Sequence, residues 1–376
     1  MVERERLLGE VVRLVQIPSL SRQEREVGEA IMAALRELGI EAEMDEVGAA
    51  VGGNCGNVIG RLPGTAEAPA LLLCAHMDTV GPGEGIRPRV EEGIIRSSGD
   101  TILGVDDKAG CAAMLEAVRV IRERGLPHAP VELLFTVCEE VGLLGAKLLD
   151  KGRLKARHGF VLDGASEVGS VVVHGPGHTV IEATIIGKAA HAGRSPEWAI
   201  NSIQVASRAI AAMRLGRIDD ETVANVGVIQ GGTATNVIPE RTFLRAEARS
   251  RDQVKLGAQV EHMVDLLHGT AEAAGAKAEV QAELAYPVFR VPEEAPVIAL
   301  ARQACEATGV AFSARKSDGG TDASMLNAAG LQTVPVGTGC YEPHSTDEYA
   351  AVEELVKLAE FVLAALQAAA APGTEG

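Results

Sequence analysis

The chain has 376 residues, of which 47% are hydrophobic and 23% are charged, and its formal net charge is −17. This acidic balance argues against nucleic acid or an anionic membrane surface as the main partner. The N-terminal segment lacks the apolar core of a signal peptide, and no apolar run reaches the ~18 residues of a membrane span. Six cysteines without a CxxC pattern indicate reduced thiols, so the expected location is the cytoplasm.

Helical and strand-like segments alternate through the first half of the chain. Apolar residues at helical spacing predict helices near 7–15 and 22–38, and Met114, Val118 and Ile121 share one face of a helix over 112–124. The strand-like segments of this half are 57–62, 70–74, 131–137 and 158–162. Such alternation is typical of an α/β sheet with helices on both faces.

The pattern changes after the break at Gly175-Pro176-Gly177. The following segments predict strand, helix, two strands, helix and strand, at 180–186, 199–213, 223–229, 242–248, 252–274 and 278–285. This β-α-β-β-α-β order is ferredoxin-like. The first pattern returns after residue 290 and ends in a helix over 352–370, with a tail at 371–376 that we expect to be disordered. The sequence therefore predicts one α/β domain, residues 1–175 and 288–376, interrupted by an inserted domain at 176–287.

Polar residues stand where three apolar strands end. His76 and Asp78 follow one strand, the pair Glu139-Glu140 follows another, and Asp163 follows a third. Ligands of open α/β sheets gather beyond the carboxyl ends of strands, and histidine with carboxylate suits Zn²⁺. Two zinc ions that share a carboxylate would activate a water molecule between them, and a remaining carboxylate would serve as general base.

Each of these motifs alone has a simpler interpretation. Two adjacent glutamates can be a solvated strand end, and Asp106-Asp107 can be a helix N-cap pair. Five segments in order, however, resemble the metal-site motifs of the M20 family of co-catalytic zinc metallopeptidases, with greatest similarity to its peptidase T branch. These segments are AHMDTV at 75–80, GVDDKAG at 104–110, CEEVG at 138–142, LDG at 162–164 and PHSTDE at 343–348.

The resemblance implies a zinc-peptidase-type mixed α/β catalytic domain, interrupted by a smaller ferredoxin-like α+β domain for lid and dimerisation functions. It also implies two Zn²⁺ ions per subunit, with Mn²⁺ or Co²⁺ as alternatives. His76 and Asp163 would bind one ion, Glu140 and His344 would bind the other, and Asp106 would bridge the two.

The remaining residues of these motifs receive different roles from the same resemblance. Asp78 would orient His76 by a hydrogen bond to its second ring nitrogen. Glu139 would be the general base for a metal-bridging hydroxide that attacks the peptide carbonyl. Asp107 matches a position that varies in the family and receives no role.

The inserted domain also resembles the family. His191, in the segment GKAAHAG at 187–193, would reach the active site of the partner subunit of a homodimer and stabilise the oxyanion. Asn236 would contact substrate, and Arg249 would bind a substrate carboxylate, although these positions also fit a turn and a surface ion pair. Gly319 and Gly320 would line the substrate pocket in a Gly-rich loop, where the absence of side chains lets the backbone approach the ligand closely.

The resulting expectation is a dizinc exopeptidase that hydrolyses the N-terminal peptide bond of short peptides, as a tripeptide aminopeptidase does. Other activities of the same family stay open: a dipeptidase, a carboxypeptidase or an N-acyl amino acid deacylase. A dimeric binding protein without activity would require loss of a ligand or of the base, and every such position is filled.

Overall fold

The computed structural model of the chain describes residues 1–371, so the tail expected to be disordered, 371–376, lies outside the described residues except for its first position. No helix of the described part is both long enough and apolar enough to cross a membrane. The α-helices within it are α1 (Arg4–Val15), α2 (Arg25–Glu37), α3 (Val47–Ala50), α4 (Val105–Arg124), α5 (Leu144–Leu148), α6 (Ser202–Ala212), α7 (Gln253–Ala273), α8 (Pro296–Thr308), α9 (Asp322–Ala328) and α10 (Val352–Ala368).

The strands of the described part fall into four sheets. They are β1 (Glu41–Met44), β2 (Val58–Leu62), β3 (Leu71–His76), β4 (Pro88–Glu91), β5 (Ile94–Ser97), β6 (Val131–Thr136), β7 (His158–Gly164), β8 (Ser170–Gly175), β9 (Gly177–Ile186), β10 (Ala190–His191), β11 (Gly216–Arg217), β12 (Thr222–Gly231), β13 (Val237–Ile238), β14 (Arg241–Ser250), β15 (Lys277–Tyr286), β16 (Phe289–Arg290), β17 (Ser313–Lys316), β18 (Gln332–Gly337), β19 (Cys340–Tyr341) and β20 (Tyr349–Ala351).

The first compact unit comprises Met1–Val173, Arg290–Lys316 and the residues from Thr321 onward. Its main sheet has the order β1-β2-β6-β3-β7-β18-β8-β16, and β17 also pairs with β8. The central strands β6, β3, β7 and β18 run parallel, whereas β1, β2 and β8 pair antiparallel. Every residue of β3 and β6 is buried, which means that the centre of the sheet is covered on both faces. The mixed α/β fold predicted from the sequence is confirmed.

Helix α4 begins earlier than the sequence predicted, at Val105 instead of residue 112. Its first turn is irregular, because Asp106 and Asp107 have non-helical backbone angles. Gly110 lets this turn lie against the sheet: a Cβ there would come 2.5 Å from the carbonyl oxygen of Leu162 and 2.6 Å from Oδ1 of Asp107. The residues directly before the predicted helix, 105–111, are therefore the tightly packed start of a buried helix.

The second compact unit comprises His174–Phe289 together with Ser317–Gly320. Its five-stranded antiparallel sheet has the order β11-β12-β14-β9-β15, and α6 and α7 share one apolar core with it. The long strands and helices follow one another as β9, α6, β12, β14, α7 and β15. This order and the sheet order together match the ferredoxin-like prediction.

Four residues join the second unit although the sequence prediction placed them in the catalytic domain. These residues are Ser317–Gly320. The Ser317 N–H donates to the carbonyl oxygen of His174 at 3.0 Å, and the Asp318 carboxylate pairs with the guanidinium of Arg251. A Cβ at Gly320 would lie 2.2 Å from the ring of Tyr286, so a larger residue at this position would require the ring to move.

Candidate active site

The predicted ligands of the first unit stand where parallel strands end. His76 is the last residue of β3, and it lies in register with Thr136, the last residue of β6. Asp163 lies at the end of β7, which pairs parallel with β3 on its other side. Glu139 and Glu140 come three and four residues after β6 ends. The sheet therefore brings these side chains to one edge, as its parallel centre requires.

The carboxylate of Asp106 lies between two histidines. Its Oδ1 is 3.4 Å from Nε2 of His76, and its Oδ2 is 3.6 Å from Nε2 of His344. His76 Nε2 is also 3.7 Å from Oδ1 of Asp163, and His344 Nε2 is 2.9 Å from Oε1 of Glu140. The structure thus brings all five predicted metal ligands together, as two histidine–carboxylate pairs on either side of one shared carboxylate.

This donor set fits divalent metal ions. Ligand atoms of His76, Asp106 and Glu140 lie within 4.8 Å of one another, as do those of His76, Asp107 and Asp163. Imidazole nitrogen with carboxylate oxygen is a combination that Zn²⁺ accepts, and Mn²⁺ and Co²⁺ bind the same types of ligand. Asp107 differs from Asp106 because its oxygens already accept backbone N–H groups, from His76 at 3.3 Å and from Gly110 at 3.1 Å.

The electrostatics of the site also favour a bound cation. Burial raises the pKa of Asp163 well above its usual value, and the nearby carboxylate of Glu139 adds to this effect. Burial likewise raises the pKa of Glu139 well above the ordinary range, with further contributions from Asp322 and Glu140. Asp106 is the exception: burial opposes its ionisation, but contact with His76 lowers its pKa overall. A nearby positive charge favours the ionised form of buried carboxylates that lie this close together.

Asp78 does not hold the His76 ring in the way that the sequence predicted. Nδ1 of His76 lies 2.9 Å from the backbone carbonyl oxygen of Asp78, whereas the carboxylate Oδ1 is 3.6 Å away, beyond hydrogen-bond distance. The carboxylate instead accepts the N–H groups of Glu139 at 3.0 Å and Glu140 at 3.2 Å, and the hydroxyl of Ser21 at 2.6 Å. The carbonyl therefore orients the ring, and the carboxylate fixes the turn that carries both glutamates.

The segment after β6 depends on side chains that the sequence analysis did not identify. Beyond β6 the backbone has no neighbouring strand to accept its N–H groups, and buried polar groups need partners. Asn57 Oδ1 accepts the N–H of Val137 at 3.1 Å, and Glu24 Oε1 accepts that of Cys138 at 3.0 Å. The sequence gives no signal for these contacts, because Glu24 is separated from Cys138 by 114 positions.

Two further buried carboxylates were missed. Asp322 accepts the Thr136 hydroxyl at 2.5 Å, and burial raises its pKa to about 6. Glu348 accepts backbone N–H groups at the start of α4. Glu348 belongs to the segment PHSTDE, so the motif contained a signal, but the sequence could not indicate which backbone it binds.

In the second unit, the structure brings the segments of His191 and Asn236 together. Strand β10 pairs with β13 so that His191 lies opposite Val237, the residue that follows Asn236. The N–H of Ala192 donates to the carbonyl oxygen of Asn236 at 3.0 Å. His191 is exposed, and its Nδ1 accepts the N–H of Gly193 at 3.1 Å. The predicted catalytic and substrate-binding roles of these two residues stay predictions.

Arg249 lies in a polar cluster on three adjacent strands of the second unit. Oε2 of Glu247 is 3.1 Å from Nη2 of Arg249 and 3.0 Å from Nε2 of His178. His178 lies opposite both Arg249 and Tyr286 in the sheet, and its ring is 5.2 Å from the Tyr286 ring. The backbone of Gly320 packs against the same tyrosine. Arg249 is thus half-buried and paired with Glu247, as in the alternative interpretation of an ion pair, and its binding of a substrate carboxylate stays a prediction.

The chain is similar in sequence and in structure to known proteins. The sequence profile of peptidase family M20/M25/M40 matches residues 72–368. The chain is 40% identical over 370 residues to the uncharacterized protein YqjE of Bacillus subtilis (strain 168), across 98% of this chain and 100% of that protein. The solved structure of aminopeptidase PepT from Bacillus cereus ATCC 10987 is 42% identical, with a TM-score of 0.91 over 98% of this chain and 100% of that chain. A tripeptidase from Staphylococcus aureus is 38% identical, with a TM-score of 0.95 over 98% and 99%.

Proposed function

This chain belongs to peptidase family M20/M25/M40, and we propose that it is a two-metal aminopeptidase that acts on short peptides, tripeptides among them. The observation that carries the proposal is the position of Asp106, whose two oxygens face two separate histidine–carboxylate pairs. The proposed ligands are His76, Asp106 and Asp163 for one ion, and Asp106, Glu140 and His344 for the other. When bound, two Zn²⁺ ions would polarise the peptide carbonyl and lower the pKa of a water molecule.

Glu139 is the proposed general base and acid. Glu139 is 8% exposed and interacts electrostatically with His76, whereas Oε1 of Glu140 is in direct contact with Nε2 of His344 at 2.9 Å. Its raised pKa favours a group that accepts a proton from water and returns it to the leaving amine. The hydrogen bond from its N–H to Asp78 fixes the backbone from which this side chain extends.

The second unit supplies the remaining proposed roles. We assign oxyanion stabilisation to His191, acting in the partner subunit of a homodimer, and substrate contact to Asn236, Gly319 and Gly320. The exposure of His191 suits that role. Arg249 would bind the C-terminal carboxylate of a short peptide such as a tripeptide. The six cysteines are free and buried, which supports the proposed cytoplasmic location.

A substrate panel on the zinc-loaded protein tests the proposed activity. It would contain dipeptides, tripeptides, tetrapeptides, N-blocked peptides and N-acyl amino acids. We expect tripeptides with a free amino terminus to be cleaved with the highest kcat/KM and to release their N-terminal residue. Cleavage of N-blocked peptides or N-acyl amino acids in preference to free peptides would show instead a deacylase or carboxypeptidase of the same family.

The variant Glu139→Gln tests the proposed base. Loss of general acid–base catalysis lowers the rate by about 10²–10⁴-fold. We therefore expect kcat to fall within that range while the zinc content, measured by atomic emission, stays at the wild-type value. Glu37→Gln changes an exposed glutamate at the end of α2 and serves as the control. Wild-type turnover in Glu139→Gln would rule out this base.

A further inference from the structure

Glu348 holds the start of helix α4 from the opposite end of the sequence. Its side chain is 1% exposed. Oε2 accepts the N–H of Gly104 at 2.7 Å, and Oε1 accepts those of Val105 at 2.9 Å and Asp106 at 3.0 Å. The first N–H groups of a helix have no partner within the helix, and Gly104 at the N-cap position has no side chain to offer one. One carboxylate thus satisfies three consecutive donors, including that of Asp106.

The position of Glu348 is itself fixed. The next residue, Tyr349, begins β20 and pairs with Arg96 of β5, in a four-stranded sheet of the order β19-β20-β5-β4. The Arg96 guanidinium lies 4.3 Å from the centre of the Tyr349 ring. On the other side, the N–H of Glu348 donates to the carbonyl oxygen of Ser345, directly after His344. The carboxylate therefore extends from a hydrogen-bonded turn next to a strand.

This arrangement connects two of the proposed metal ligands. His344 lies four residues before Glu348, and Asp106 is the last of the three residues that donate to it. The backbone of Asp106 is non-helical, so the regular helix does not determine where this residue lies. The hydrogen bonds to Glu348 instead connect the Asp106 backbone to the segment that carries His344.

We propose that Glu348 is a positioning residue for metal binding, which sets the distance between Asp106 and His344 and so keeps the shared carboxylate between the two ion positions. The donors that the Glu348 carboxylate accepts are backbone N–H groups, so it acts on Asp106 through the backbone. The inference rests on the proposed two-metal site. Outer partners that orient metal ligands typically change metal affinity by about 10–100-fold when they are replaced.

The test compares zinc affinity in three variants. Glu348→Gln keeps an oxygen for the N–H groups of Val105 and Asp106 but turns an amide NH₂ toward that of Gly104, and Glu348→Ala removes all three acceptors. Asp347→Asn changes the exposed neighbour. Zinc affinity is measured without substrate, by competition with a chromophoric chelator, and the folded state of each apo-protein is checked by circular dichroism. We expect a loss of about 10–100-fold in Glu348→Gln, a greater loss in Glu348→Ala and no change in Asp347→Asn.

A second control separates positioning from stability. Glu116 is a buried carboxylate on α4 itself. It binds the guanidinium of Arg6 and the N–H of Glu3, away from the proposed ligands. Glu116→Gln should lower the melting temperature of the apo-protein but leave zinc affinity unchanged. If Glu348→Gln also lowers the melting temperature but leaves zinc affinity unchanged, Glu348 is only a helix cap and the inference is wrong. Because Glu348→Gln retains two of the three acceptor contacts, it decides the question even if Glu348→Ala does not fold.

The proposed function and this inference can fail separately. If the wild-type protein binds fewer than two zinc ions per chain, the two-metal proposal is wrong. If it binds two and Glu348→Gln binds them with the same affinity, only the role of Glu348 is refuted. If it binds two but cleaves no peptide, the proposed activity fails, and the zinc affinities still decide the role of Glu348.

Discussion

At the scale of single residues, Asp78 uses its two kinds of oxygen for different tasks. Its carbonyl accepts from the His76 ring, and its carboxylate holds the N–H groups of Glu139 and Glu140. Hydrogen bonds to a charged acceptor contribute about 1.5–3 kcal/mol each. We expect Asp78→Ala to lower kcat by about 10–100-fold, because Glu139 would lose its fixed orientation. Zinc affinity should fall by a smaller factor, because the Glu140 carboxylate keeps its contact with His344 when its backbone N–H loses Asp78. Kinetics and chelator competition measure the two effects.

A larger effect of Asp78→Ala on zinc affinity than on kcat would contradict this interpretation. If the carboxylate of Asp78 mainly oriented His76, its removal would weaken zinc binding by about 10–100-fold, as expected for a partner of a ligand ring. Ser21→Ala provides a matched comparison, because it removes one donor to the same carboxylate and leaves both backbone contacts in place. Its effect on kcat should be several times smaller than that of Asp78→Ala.

The sequence was sufficient to predict the five proposed metal ligands that the structure brings together, but not the hydrogen bonds that hold them. His76, Glu140 and Asp163 lie at the ends of recognisable apolar strands, so their proximity follows from the sheet. Glu24 accepts the N–H of Cys138, 114 positions away, and Glu348 accepts N–H groups that are at least 242 positions away. Any buried carboxylate can accept any unpaired N–H, so nothing in the residue types indicates these partners. Their identity depends on the packing of the whole unit.

At the scale of elements, Glu247 of β14 contacts Arg249 on its own strand and His178 on the neighbouring strand β9. Contact with His178, followed by that with Arg249, holds the pKa of Glu247 down at about 2. The pKa of a glutamate in the unfolded chain is about 4.3, so ionised Glu247 stabilises the fold above that pH. This stabilisation is lost as the pH falls toward the pKa of Glu247 in the folded protein. We therefore expect Glu247→Gln to lower the melting temperature at about pH 7 but to match the wild type more closely at about pH 3.

The neighbouring pair of Glu182 and Arg245 provides the control for this prediction. Glu182 lies on β9, one strand over from Arg245, and both side chains are more exposed than those of the Glu247 cluster. Exposed ion pairs contribute little, so Glu182→Gln should change the melting temperature by a smaller amount at every pH. A difference between wild type and Glu247→Gln that grows as the pH falls would contradict the assigned direction of the pKa shift.

Periodicity predicted most elements, and it failed where tertiary contacts replace local signals. Strand β1, with the sequence EAEM, was not predicted, because its charged residues lie at the edge of the sheet and are only partly buried. The start of α4 was missed because its cap is Glu348 instead of a local Ser, Thr, Asp or Asn. The ferredoxin-like unit was predicted well because its strands alternate between a helix-covered face and an open face.

At the scale of the whole molecule, metal binding should stabilise one unit and not the other. All five proposed ligands belong to the first unit, and none belongs to the second. A ligand that binds only the folded state at about 1,000 times its Kd adds about 4.1 kcal/mol of stability. For a unit of this size the melting temperature would rise by on the order of 10 °C. We therefore expect EDTA to lower the midpoint of one calorimetric transition and to leave a second transition in place.

The variant Asp163→Asn makes this expectation specific to the proposed site. It retains the shape of the side chain but removes the charge of a ligand, so the difference between zinc-loaded and EDTA-treated protein should become smaller. The buried acids also predict that Asp163→Asn loses less stability than the wild type when metal is removed, because burial and the nearby carboxylate of Glu139 disfavour ionised Asp163. Equal EDTA shifts in both proteins would exclude Asp163 from the ligands, and equal shifts of both transitions would exclude binding confined to the first unit.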